Sequence, residues 1–94
     1  MLQIFLIRRL NKRIFKEFID GVENRTIGIK QCRELLPTLP IDVVVKLGEK
    51  IIWSDYDGYN KSRKESEVYY FYDLDRWQKE FFIEQRFYKL LGIK

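Results

Sequence analysis

The chain has 94 residues, of which 46 % are apolar and 16 % aromatic, and its formal net charge is +4. This length and composition predict one domain spanning residues 1–94 and argue against intrinsic disorder and repeat architectures. Apolar runs such as residues 4–7 are far shorter than the roughly 20 residues of a membrane span. The one cysteine leaves no intramolecular disulfide. We therefore predict a cytoplasmic protein with no membrane partner.

Two residue types are missing from the sequence. The lack of histidine removes the commonest general base and the usual nucleophile pairs, so we predict that the protein is not an enzyme. The lack of alanine, together with many isoleucines, lysines and tyrosines, is typical of AT-rich coding sequences. Because small AT-rich reading frames are frequent in viruses and mobile elements, the composition favours such an origin.

The first predicted element is an amphipathic helix from Leu2 to Asp20, with Gly21 at its C-terminal cap. Its apolar face consists of Ile4, Ile7, Leu10, Ile14, Phe15 and Phe18. The first turns, residues 2–7, lack a recognisable N-cap and could instead form a short strand. A second, short helix is predicted from a cap at Asn24 or Thr26 to Leu36, where Pro37 ends it.

The middle of the chain reads as a three-stranded antiparallel meander. Residues 41–47 contain a run of valines that favours a buried strand, and residues 50–53 resume as a second strand after a turn at Gly48 and Glu49. Residues 54–66 are rich in turn-forming and charged residues and predict a loop, and residues 67–72 predict the third strand.

A long helix is predicted from Leu74 to Leu91, capped by Asp73 and followed by Gly92. The fold class expected from these elements is α+β. The apolar residues of this helix form two stripes. We assign the first to the sheet, and it contains Leu74, Trp77, Phe81, Tyr88 and Leu91; the second contains Ile83, Phe87 and Leu90.

The second stripe suggests a binding function. Nine of the fifteen aromatic residues lie between Tyr69 and Tyr88, and aromatic residues are enriched at protein interfaces. The second stripe either packs on the first helix or forms an interface, as a homodimer seam or a docking site. The leading hypothesis is a non-enzymatic module that binds and modulates a host protein. Its predicted interface consists of Tyr70, Tyr72, Ile83, Phe87 and Leu90.

The alternative hypothesis is a nucleic-acid-binding protein that uses the basic face of the first helix. This face consists of Arg8, Arg9, Lys12, Arg13 and Lys16. The aromatic residues of the helix, Phe5, Phe15 and Phe18, are expected on or near the apolar face, so phosphate contact is expected rather than base stacking.

No metal or cofactor is predicted. Asp55, Asp57 and Gly58 suggest a calcium loop, but glycine is fourth rather than sixth, and the twelfth residue is a serine instead of glutamate. A third hypothesis, a magnesium-dependent nuclease, would need the carboxylates of Asp55, Asp57, Glu65 and Glu67 to converge. We expect Cys32 to be a buried, inert thiol on the apolar side of the second helix.

Overall fold

The computed structural model describes residues 2–91 and shows a helical protein. It has six α-helices: α1 (Leu2–Glu23), α2 (Ile29–Leu35), α3 (Ile41–Trp53), α4 (Lys61–Tyr72), α5 (Arg76–Gln85) and α6 (Phe87–Leu90). A short 3₁₀ turn, Leu36–Thr38, follows α2. The described residues contain no strand. The predicted α+β fold with a three-stranded meander is therefore wrong.

Helix α3 replaces the first two predicted strands and is the central element, since it contacts α1, α4, α5 and α6. Its buried residues recur with helical spacing and are Val43, Val44, Leu47, Gly48, Ile51 and Ile52. Asp42, Lys46 and Lys50 lie on the opposite, exposed face. The 3.6-residue period thus outweighs the strand preference of three consecutive valines, because propensity is weaker than the burial of a continuous apolar stripe.

Gly48 lies inside α3 and makes no turn. A Cβ atom at this position would lie 2.7 Å from Phe71 Cε2 and closer still to two other atoms of the same ring. The glycine therefore allows the fully buried Phe71 of α4 to pack directly against the backbone of α3. The close approach of α3 and α4 requires a residue without a side chain at this position. The prediction of a turn at Gly48 is therefore wrong.

Helix α4 replaces the third predicted strand and the end of the predicted loop. Its inward stripe recurs at helical spacing through Lys64, Glu67, Val68 and Phe71. Lys61 pairs with Glu65 on the exposed side, and the exposed Arg63 pairs with Glu67 at the edge of the inward stripe. Such pairs each add a few tenths of a kcal/mol to an exposed helix.

The predicted C-terminal helix is two helices that meet at Arg86, whose backbone leaves the helical region. Asp75 is the N-cap of α5, in place of the predicted Asp73, and its backbone N–H donates to Gln78 Oε1 at 2.9 Å. The buried Lys79 ammonium donates to the carbonyl oxygens of Tyr72, at 2.9 Å, and Leu74. It thereby satisfies the Tyr72 carbonyl at the end of α4 and the Leu74 carbonyl in the connection to α5.

The two N-terminal helices are close to their predicted positions, but their ends differ. Helix α1 continues through Gly21 to Glu23, and α2 begins after Gly28 instead of at Asn24 or Thr26. All six helices contribute to one apolar core. Its buried members include Phe18 and Val22 of α1, Cys32 of α2, and Phe87 and Leu90 of α6.

Candidate binding surfaces

The second apolar stripe of the C-terminal region is buried, in agreement with the alternative in which it packs on the first helix, whereas two residues of the first stripe are exposed. Ile83 is fully buried, and Phe87 and Leu90 are buried with it in the core beside α1 and α3. Trp77 and Phe81, which were expected to cover a sheet, are 66 % and 56 % exposed. The second stripe therefore packs inside the chain, and the predicted interface loses three of its five residues.

The exposed stripe of α5 forms part of a surface that we call the aromatic patch. A shallow groove of about 330 Å³ runs across it. The patch consists of Tyr70, Leu74, Trp77, Gln78, Phe81, Phe82 and Arg86. Tyr70 is the only residue of the predicted interface on the patch, because Tyr72 lies two residues further along α4 and therefore on another side of the helix.

The base of the aromatic patch is attached to the core. The half-buried Phe82 ring lies 5.0 Å from the ring of Phe71, and the Arg86 guanidinium lies 4.0 Å from the centre of the Phe82 ring. Among residues 2–91, no carboxylate lies within ion-pair distance of Arg86. The patch therefore presents an oriented cation beside exposed aromatic rings.

Tyr72 occupies a different environment, between α4 and α3. Its ring meets that of Tyr69 edge-on, with ring centres 6.3 Å apart. Partial desolvation and the Glu49 carboxylate raise the pKa of Tyr72. This tyrosine is 43 % exposed and is not part of the aromatic patch.

A polar groove continues from the patch through Tyr70, Phe82 and Arg86 towards the loop before α4. Asp55 in this loop accepts hydrogen bonds from Lys64 at 2.5 Å and from Lys89 at 3.4 Å. The hydrogen bond from Lys64, followed by the charge of Lys89, lowers the pKa of Asp55. These contacts tie the loop to α4 and α6.

Three carboxylates of the third hypothesis, those of Asp55, Asp57 and Glu67, line the polar groove. Asp55 is engaged by Lys64, Glu65 lies beside Lys61, and Glu67 lies beside Arg63. Within residues 2–91, no group of three acidic or cysteine side chains is arranged to hold a metal ion. Cys32 is fully buried, as expected, and burial raises its pKa to about 12.

The five predicted phosphate-binding residues are exposed on one side of α1: Arg8, Arg9, Lys12, Arg13 and Lys16. Arg13 pairs with Glu17 at 3.0 Å. Three of the others, Arg8, Arg9 and Lys12, line a groove of about 520 Å³ between α1 and α3, with Lys46 on the opposite wall. We call this the basic groove.

The structure places Phe5 in the basic groove and not on the packed apolar face. Its side chain is 70 % exposed. The apolar face itself is only partly covered: Phe18 is buried, Ile14 and Phe15 are half-buried, and the apolar residues of the N-terminal turns are exposed. Exposed apolar residues in these turns are Ile4, Leu6, Ile7 and Leu10.

The chain matches no protein-family model, no curated protein and no solved structure. Among residues 2–91, no helix combines the length and the apolar character that a bilayer crossing requires.

Sequence reasoning missed three exposed aromatic residues, Phe5, Trp77 and Phe81. The spacing of Trp77 and Phe81 showed that they share a helix face, but spacing cannot tell which of two apolar faces is buried. Phe5 lies between Arg9 and Lys12 in helical projection, and this position was visible in the sequence. Its neighbours Ile4 and Ile7 made the whole first turn look like core.

Proposed function

We propose that this protein is a non-enzymatic module that binds and modulates another protein through the aromatic patch. The observation that carries the proposal is the exposure of Trp77 and Phe81, one helical turn apart, on the surface of α5. Tyr70 of α4 is similarly exposed beside them. Tryptophan, tyrosine and arginine are the residues most enriched among those that dominate binding energy at protein interfaces.

The arrangement also favours a defined binding mode. Phe82 packs against the buried ring of Phe71 and against the Arg86 guanidinium, and these two contacts restrict its motion before a partner binds. A rigid site loses little side-chain entropy on binding, and more of the gross contact energy then appears as affinity. Trp77 and Phe81 form one rim of this groove.

The chemistry of the patch indicates the partner. Its lining includes Arg86 but no acidic residue. A partner segment with a bulky apolar side chain beside a carboxylate would fill the groove and pair with the guanidinium. A second copy of the chain fits less well, because a two-fold interface would bring the same acid-free surface and its Arg86 against itself.

The composition bears on the identity of the partner. An alanine-free, isoleucine- and lysine-rich sequence is consistent with a virus or mobile element. The target that we propose for such a chain is a host protein. The patch is separate from the buried Ile83, Phe87 and Leu90, so binding would not require the fold to open.

The test is selection of a random peptide library displayed on phage against the purified protein, followed by titration of synthetic peptides. We expect the enriched peptides to combine a bulky apolar residue with an acid. Binding should shift the fluorescence emission of Trp77 to shorter wavelength, because the indole leaves water. Replacing both Trp77 and Phe81 with alanine should weaken binding at least about 30-fold, the equivalent of roughly 2 kcal/mol.

The matched control replaces Tyr69 and Tyr88 with alanine. Both are exposed aromatic residues outside the patch, so this variant should bind the selected peptides like the wild type. Selection that enriches no peptide, or equal weakening in the two double variants, would contradict the proposal. A concentration-dependent dimer that the patch substitutions dissociate would show that a second copy occupies the patch.

A further inference from the structure

We propose that the basic groove between α1 and α3 binds single-stranded nucleic acid, with Phe5 stacking on a base and the surrounding cations contacting phosphates. This site is separate from the aromatic patch and goes beyond the protein-binding function. It rests on the distribution of charge, the shape of the groove and the position of Phe5.

The positive charge of the chain is concentrated in one segment. Residues 1–16 contain five cations and no acidic residue, whereas the net charge of the whole chain is +4. The net charge of the remaining residues, 17–94, is therefore −1. Among residues 2–91, no carboxylate lies within ion-pair distance of Arg8, Arg9 or Lys12. These cations are available to an anionic ligand.

The cations surround a concave surface. Arg8, Arg9 and Lys12 project from α1, and Lys46 projects from α3 on the other wall of the groove. Asp42 is the carboxylate in the lining, and it accepts a hydrogen bond from the buried Asn11 at 3.3 Å. A groove with cations on both walls follows a flexible polyanion better than it fits a flat lipid surface.

Phe5 supplies the second element of single-strand recognition. It shares the cationic side of α1 in helical projection, and its ring is largely exposed. A base in a duplex has both faces covered by its neighbours, whereas an unpaired base can stack on an aromatic side chain. The combination of Phe5 with cations within two helical turns therefore favours a single strand over a duplex.

The test uses fluorescence anisotropy at low salt with labelled oligothymidine and oligouridine of about 15 nucleotides. We expect dissociation constants of roughly 1 to 100 µM that weaken steeply as salt rises. Phe5→Ala should weaken binding to both oligonucleotides by about 10-fold or more. It should leave binding to an abasic strand of the same length unchanged, because an abasic strand offers phosphates without bases.

Two charge variants distinguish binding at the basic groove from general electrostatic attraction between the protein and the oligonucleotide. Arg9→Glu with Lys12→Glu should abolish binding to the oligonucleotides and to the abasic strand. Lys30→Glu with Lys61→Glu changes the net charge by the same amount outside the groove and should bind like the wild type. All four positions are exposed, so circular dichroism should show folded variants. If the groove variant unfolds, Arg9→Gln with Lys12→Gln replaces it.

Several results would overturn the proposal. The first is no oligonucleotide binding at 100 µM protein, the weak limit of ordinary nonspecific affinity, which is about 10⁻⁴ M. The second is a Phe5→Ala variant that binds oligonucleotide like the wild type or loses abasic binding equally. An equal loss of oligonucleotide affinity in the two charge variants would show that binding is general electrostatic attraction and not a property of the basic groove. Tighter binding to vesicles containing phosphatidylserine than to oligonucleotide would assign the cations to a lipid surface.

Discussion

Replacing Gly48 with alanine is the sharpest test of the helical core. The substitution has two opposing effects, since alanine is better than glycine inside a helix by about 1 kcal/mol. The new methyl group, however, would lie within 2.7 Å of Phe71 Cε2 and closer to two other ring atoms. Real Cβ atoms do not approach other atoms so closely, and either the ring or the helix must move.

The ring of Phe71 has little freedom to move. It is fully buried, it lies 5.0 Å from the ring of Phe82, and the Lys79 ammonium lies 5.7 Å from its centre. Overpacking in such a core costs about 1 to 3 kcal/mol, and occasionally more. The clash here involves a rigid ring, so we expect the cost to exceed the propensity gain. The free energy of unfolding should fall by about 1 to 2 kcal/mol net.

Urea unfolding followed by circular dichroism measures this change, and thermal unfolding should show a melting temperature lower by about 4 to 8 °C per kcal/mol. The control is a double-mutant cycle with Phe71→Leu, which removes the far end of the ring. The double variant should be more stable than the sum of the single effects predicts, with a coupling of about 0.5 to 3 kcal/mol. A Gly48→Ala protein as stable as the wild type, or more stable, would refute the close packing of α4 on α3.

Three further predictions test the assignment of core and surface. Ile83→Ala should lower the free energy of unfolding by about 2 to 5 kcal/mol, because Ile83 is fully buried. Phe81→Ala should change the free energy of unfolding by only about 0.5 kcal/mol, because Phe81 is exposed. Equal losses in urea unfolding would contradict the assignment of the two stripes. Lys79→Met keeps the apolar stem but leaves two carbonyl oxygens without their donor, so it should cost about 1 to 3 kcal/mol, and unchanged stability would exclude the capping role. Asp55→Asn should lower the melting temperature at pH 7. The folded pKa of Asp55 is lowered by Lys64, so this contribution exists above the unfolded pKa of about 3.9 and is lost as pH falls through the folded pKa. Thermal melts between pH 7 and pH 2 should therefore converge for the two proteins, and a constant difference would count against the ion pair.

The sequence by itself determined several features correctly. The amphipathic first helix, the short second helix and the burial of Cys32 follow from the local spacing of apolar residues. The exposure of the five cations on α1 also follows, because charged side chains are rarely buried without partners. Each of these properties depends on residues within a few turns of one another.

The fold class was decided by tertiary structure. Residues 41–53 carry both a strand-like valine run and a helical stripe, and the helical period prevails because α1, α4, α5 and α6 all bury that stripe. Gly48 signals a turn locally, yet it serves as the contact point for a ring that lies 23 residues further along the chain. Local chemistry could not distinguish these two uses of a glycine.

The candidate surfaces were decided in the same way. Helical spacing placed Trp77 with Phe81 and Ile83 with Phe87, but it left open which pair faces the core. Ile83 and Phe87 face the core, because α5 and α6 pack against α3 and this packing buries the side of the chain on which both residues lie. Phe5 is exposed for a related reason, because the groove between α1 and α3 leaves its ring open to solvent. A sequence specifies the faces of its helices, whereas only the packed arrangement specifies which faces remain in water.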